Sequence, residues 1–94
     1  MLYYYRIYFL SMEQTIQVGH VYRHFKGNTY KIIAIARDSE TTDEVVVYQG
    51  LQDSSSFGSS PLWVRSKKEF LSCVIIDGKE QARFAPVNET EPLQ

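Results

Sequence analysis

The sequence predicts a mainly β fold: a small, partly open barrel of five or six short strands with one short helical turn. Three observations predict it. Short runs rich in β-branched and aromatic residues recur down the chain, and turn signals separate them, Gly27-Asn28 and Asp77-Gly78 above all. At 94 residues the chain has room for one hydrophobic core. A domain this small buries only about 60 to 65% of its unfolded surface, so each large apolar side chain counts. Seven tyrosines, five phenylalanines and one tryptophan supply much of that area.

Residues 18–25 form the first expected strand, running into Lys26-Gly27-Asn28-Thr29, where Gly-Asn between two apolar runs signals a tight hairpin. Residues 29–37 form the second. Strict alternation there puts Tyr30, Ile32, Ala34 and Ala36 on one face and Lys31, Ile33, Ile35 and Arg37 on the other, so both faces are apolar in the middle. The polar run 38–43 reverses the chain with side chains that bond their own backbone in turns. Residues 44–51, led by Val45-Val46-Val47-Tyr48, form the third strand, and 52–61 is a Ser/Gly-rich loop without periodicity, in which mobility is expected.

Leu62-Trp63-Val64-Arg65 resumes a short strand. Ser66 with Glu69 three positions on is the capping-box pattern for one helical turn. Val74-Ile75-Ile76 and residues 81–84 flank Asp77-Gly78, a second hairpin. The size and strand count fit an SH3-like roll better than an OB-type barrel, which needs longer strands and a true helix. The expected division is residues 1–17 as an N-terminal extension, 18–85 as the β domain and 86–94 as a flexible acidic tail.

The N-terminal run Met-Leu-Tyr-Tyr-Tyr-Arg-Ile-Tyr-Phe-Leu-Ser is too short to span a bilayer and is interrupted by Arg6; no small-residue cleavage site follows. Met12 opens a hydrophilic stretch that reads as the true translation start. No membrane partner is expected, and the chain reads as cytoplasmic. Ten Lys and Arg against eleven Asp and Glu leave a net charge of -1, so no overall field attracts polyanions. Cys73 is the single cysteine, which excludes an internal disulfide and a multi-thiolate zinc site; within an apolar run it reads as a small buried residue. His20 and His24 are four apart, a spacing that ligates a metal from one face only on a helix. No metal and no cofactor are implied.

No phosphate-cradling glycine motif, nucleophile elbow or carboxylate pair appears, so no catalytic residues are assigned. The candidate ligand-binding residues are Arg23, His24, Arg37, Ser39, Glu40, Tyr48, Trp63 and Arg65. The segment Arg37-Asp38-Ser39-Glu40-Thr41 has two readings: a self-capped turn, in which Ser39 and Thr41 hold backbone amides and Arg37 pairs with Glu40, or the rim of a ligand groove shared with Arg23, Trp63 and Arg65. Alternation puts Trp63 and Arg65 on one face and Val64 on the other. With Val64 turned to the core, Trp63 and Arg65 face outward or into a groove, a pairing favoured at binding hot spots; the competing reading has Trp63 filling the end of the barrel.

The strings Gly19-His20-Val21-Tyr22-Arg23-His24-Phe25-Lys26-Gly27-Asn28, Ile35-Ala36-Arg37-Asp38-Ser39-Glu40-Thr41, Val46-Val47-Tyr48 and Trp63-Val64-Arg65, with Phe70 and Asp77-Gly78, resemble the bacterial domain of unknown function 1653. The resemblance spans nearly the whole foldable chain, 19–84. It departs at Asp38, Ser66 and Ala82, where the family pattern has His, Pro and Pro. It implies a small, stand-alone bacterial cytosolic protein and carries no established activity. The leading expectation is a non-catalytic module binding a peptide or small polar ligand in a groove between the 38–43 turn and the 52–61 loop. The alternatives are single-stranded nucleic-acid binding through Arg23, Lys26, Lys31, Arg37 and Arg65 with Tyr48 and Trp63 stacking bases, and a small hydrolase or transferase using His24 with Glu40.

Overall fold

A computed structural model describes residues 15–87. The proposed start at Met12, the segment before it and the tail beyond Val87 lie outside the described residues. The chain forms β1 (Val21–His24), β2 (Thr29–Arg37), β3 (Glu44–Gly50), β4 (Leu62–Ser66), α1 (Lys67–Phe70), β5 (Cys73–Ile76), β6 (Lys79–Ala82) and β7 (Phe84–Pro86). Five strands make one antiparallel sheet in the order β4-β3-β2-β1-β7, and β5 and β6 form a separate hairpin. The fold is mainly β as expected, but the sheet does not close, because β4 and β7 are its two edges.

A β-bulge explains why β2 looked apolar on both faces. Ile32 pairs with Tyr48 and Ala34 with Val47, so Ile33 is an extra residue with no partner on β3. Side-chain parity flips across it. Tyr30 and Ile32 share the core face with Ile35, whereas strict alternation had placed Ile35 opposite to them. The first strand begins later than expected, at Val21, because Gly19 (φ 94°) turns the chain; its amide and the His20 carbonyl bond the backbone of Ile32.

The expected last strand, 81–84, is two strands broken at Arg83. Its amide bonds the Ser72 carbonyl beside the hairpin, and its carbonyl accepts from Phe25 at the end of β1. One residue thus ends one sheet and starts pairing in the other. Ser66 caps α1 as its spacing with Glu69 predicts, its hydroxyl accepting from the Glu69 amide at 3.1 Å. Asp77 (φ 51°) and Gly78 (φ 79°) both adopt left-handed backbone, the geometry of a two-residue hairpin turn.

The core is aromatic. Ile32, Val46 and Phe70 are fully buried, with Tyr22, Tyr48 and Phe84 almost so. Phe70 from α1 stacks flat on Phe84 at 4.0 Å between ring centres, while Tyr22 and Tyr48 meet Phe70 edge-on. The single helical turn therefore serves to drop Phe70 onto the core face of the sheet, where burying a side chain of this size is worth about 1.5–3 kcal/mol.

Two readings are corrected here. Val64 faces out and is 64% exposed, while Trp63 and Arg65 lie on the core side. The pairing Tyr48 with Trp63 and Val46 with Arg65 requires this, since Val46 and Tyr48 are core residues. Cys73 is exposed, not buried, because β5 pairs only with β6 and most of its apolar residues stay open to solvent.

Candidate functional site

On the core face of β4, the Arg65 guanidinium is held from two sides. Its Nε donates to the Tyr48 hydroxyl at 3.2 Å, and its central carbon lies 5.6 Å from the centre of the Phe84 ring. Tyr48 is only 5% exposed, so its phenol is a fixed post at the margin of the core. The Arg65 side chain is 27% exposed, and the nearest carboxylate, Glu69 on α1, is 3.7 Å from its Nη1, an ion pair beyond hydrogen-bond length. Of the five N–H donors of this half-buried group, the Nε–H alone makes a hydrogen bond among the described residues.

His24, at the end of β1, packs edge-on against the same Phe84 ring at 4.9 Å and lies tilted against the Phe25 ring at 4.4 Å. Its Nδ1 accepts from the Lys26 amide at 3.1 Å, which selects the neutral imidazole with its proton on Nε2. Burial first, then the charges of Arg65, Lys26 and Arg83, push its pKa below the ordinary value of 6.5. Arg83 is tied down through Nε to the Ser72 hydroxyl at 3.0 Å.

Trp63 lies half-buried beside the core, and Phe57 from the 52–61 loop meets the indole edge-on at 5.2 Å. That loop is better braced than its composition suggests. Ser54 and Gly58 form a bridge, and the Ser54 hydroxyl accepts from the amides of Ser56 and Phe57.

Three of the eight candidate residues, His24, Tyr48 and Arg65, thus meet around Phe84, and Trp63 stands beside them as the cross-strand partner of Tyr48. The others do not. Arg37, Ser39 and Glu40 belong to the turn at the far end of β2, about nine strand residues or roughly 30 Å from His24. There Asp38, not Ser39, organises the turn, its carboxylate accepting from the Glu40 and Thr41 amides at 2.8 and 3.1 Å. Those bonds hold the Asp38 carboxyl below its ordinary pKa. Arg37 donates to the Thr42 carbonyl at 2.8 Å and not to Glu40. The self-capped turn is the arrangement found, and a His24–Glu40 dyad is excluded by distance.

Arg23 pairs with Thr29 and Ala85 and points to the face opposite Tyr22 and His24. With His24, Phe25 and residues of β6 and β7 it lines a groove of about 370 Å³ that runs around this end of the sheet. A second groove of about 600 Å³ lies at the other end, where Arg37 meets Lys67 and Lys68; Lys67 pairs with Glu44 at 3.0 Å. The 38–43 turn and the 52–61 loop leave β3 from opposite ends, so no groove forms between them.

Phe84, Glu69 and Phe57 complete the patch and were not anticipated. Glu69 carried a signal, lying four residues after Arg65 with a helix start between them. Phe84 carried none, since only the break at Arg83 brings it back to β1.

This is a mainly β domain with a half-buried arginine at the rim of an aromatic core. Residues 20–86 match the DUF1653 family, described as a protein of unknown function, and the chain belongs to that family. A solved structure of a protein of the same family from Bordetella bronchiseptica is similar at 34% identity and a TM-score of 0.69, covering 84% of this chain and 96% of that one. No curated protein matches. Among the described residues no helix is long and apolar enough to cross a membrane.

Proposed function

We propose that this domain is a non-catalytic binding module of SH3-like shape, working in the cytoplasm, which takes a peptide or small polar ligand at the patch formed by Arg65, His24 and Trp63. The observation that carries the reading is the Arg65 guanidinium, fixed by Tyr48 and Phe84 yet left with four N–H donors unbonded among the described residues. A group already partly buried and held in one orientation loses less on binding than a free side chain, which favours a ligand's acceptor at its open donors. His24 also lines the groove at this end of the sheet.

The nucleic-acid reading has less support. Arg23 and Lys31 share the face opposite His24, Arg37 lies at the far end of β2, and the Tyr48 ring is buried against Phe70 and Phe84, away from any base it would stack on.

The test is titration of the ¹⁵N-labelled domain with peptides, small polar metabolites, nucleotides and single-stranded oligonucleotides. Binding moves the resonances of His24, Arg65, Glu69 and the Trp63 indole together, and Arg65→Met abolishes the response. Unmoved spectra of the folded protein across the whole panel reject the reading.

A further inference from the structure

We propose that the ligand group received at Arg65 is a carboxylate, and that Glu69 occupies its place in the unbound chain. This rests on the binding-module reading and specifies the chemistry of that same site.

Three features lead to it. First, the open face of Arg65 presents its two terminal nitrogens, the planar fork that matches a carboxylate through two parallel bonds. Its Nε side is closed by Tyr48, so the approach is restricted to that fork.

Second, a carboxylate already stands there at a distance too long for a hydrogen bond. Glu69 lies 3.7 Å from Arg65 Nη1 and its side chain is 55% exposed. Its backbone is pinned by the Ser66 cap, so the carboxylate reaches Arg65 from a fixed anchor without closing to the 2.7–2.9 Å typical of a charge-assisted bond. Exposed pairs of this kind contribute little to stability, so Glu69 is readily displaced.

Third, the surroundings carry surplus positive charge. Lys26 and Arg83 as well as Arg65 act on His24, and the Nε2–H of that neutral imidazole is a further donor. An incoming carboxylate meets the Arg65 fork in this cationic setting, with Glu69 the one anion it displaces. Trp63, on the same face of β4 as Arg65, and Phe57 packed on it add apolar surface next along the strand, which suits a carboxylate on an apolar or aromatic stem.

Four probes test the proposal by calorimetry and NMR: N-acetyl-Ala-Phe with a free C-terminal carboxylate, N-acetyl-Glu-Phe-amide with a side-chain carboxylate, neutral N-acetyl-Gln-Phe-amide, and inorganic phosphate. At least one carboxylate peptide binds tenfold or more tighter than the neutral one, and which of the two does so identifies the source. Glu69→Gln, by removing the internal competitor, tightens that binding about two- to fivefold, the fold-change equivalent of a weak surface pair. Arg65→Lys keeps the charge but loses the fork, and weakens it about tenfold with the melting temperature little changed.

Equal affinity for the neutral peptide, tighter binding of phosphate than of either carboxylate, or unchanged or weaker carboxylate binding in Glu69→Gln overturns the carboxylate assignment. So does silence from all four probes while another member of the wider panel binds at Arg65. In each of these cases the binding-module reading survives; it falls only when nothing in the wider panel binds.

Discussion

Tyr48 and Arg65 sit on adjacent strands with the Tyr48 hydroxyl accepting from Arg65 Nε at 3.2 Å, one residue committed to the core and the other to its rim. Tyr48 pairs with Trp63 and Val46 with Arg65, so the register of two strands alone sets this contact. The bond does two things. It satisfies a phenol whose ring is buried against Phe70 and Phe84, and it holds a guanidinium in one orientation.

Tyr48→Phe removes that bond and little else. We expect a loss of about 0.5–1.5 kcal/mol in unfolding free energy, the usual net worth of such a bond, with the fold retained. Urea denaturation measures the loss, and the line width of the Arg65 Nε–H resonance reports the freed side chain. An unchanged Arg65 signal in the variant contradicts the positioning role.

Phe70→Ala is expected to be far more damaging. Phe70 is fully buried, stacked on Phe84 and met edge-on by Tyr22 and Tyr48. Truncations of this kind cost about 3–5 kcal/mol, a large share of the stability of so small a domain. Circular dichroism melting shows the loss directly; Phe70→Leu keeps part of the buried area and falls between the variant and the wild type.

Stability depends on pH through His24. Its folded pKa lies below the ordinary 6.5, because burial and the charges of Arg65, Lys26 and Arg83 disfavour the imidazolium. As pH falls through 6.5 the unfolded chain takes up the proton first. The contribution is therefore complete above that value and declines as pH drops towards the folded pKa. Melting temperatures recorded from about pH 7.5 to 5.5 should fall for the wild type and change less for His24→Gln, whose amide oxygen still accepts from Lys26. A His24 titration above 6.5 by NMR would contradict the sign.

Cys73 lies exposed on β5, so the folded protein is expected to react with a thiol reagent such as iodoacetamide without prior unfolding. The reaction rate should be nearly independent of low urea concentrations, because no opening step precedes it. A rate that rises steeply with urea points instead to a protected thiol.

Ser66→Ala removes the N-terminal side-chain cap of α1, the hydroxyl that accepts from the Glu69 amide. The expected cost is about 1 kcal/mol, measured by urea denaturation. Because the cap also anchors Glu69 beside Arg65, the variant should shift the Arg65 side-chain resonance as well.

Much of the fold is legible along the chain. Both hairpin turns, the long second strand, the third strand and the capped helical turn lie where residue type and spacing put them, because turns and caps are decided by neighbours a few residues apart. The candidate site is half legible. Residue chemistry singled out His24, Tyr48, Trp63 and Arg65, yet placed with them Arg37, Ser39 and Glu40, which long strands keep at the other end of the molecule.

Pairing between strands decides the remainder. Period-2 alternation says that Trp63 and Arg65 share a face but is silent on which face, and only the register against Val46 and Tyr48 turns that face to the core. The bulge at Ile33 reverses parity within β2 for the same reason: an extra residue is visible only when a partner strand has none to oppose it. The apolar run at Cys73 is open to solvent because its hairpin stands apart from the main sheet. Local sequence thus determined most of the strands and their turns, whereas the inside of each strand, and the break at Arg83, were settled by long-range contacts, since burial is a property of the partner as much as of the residue.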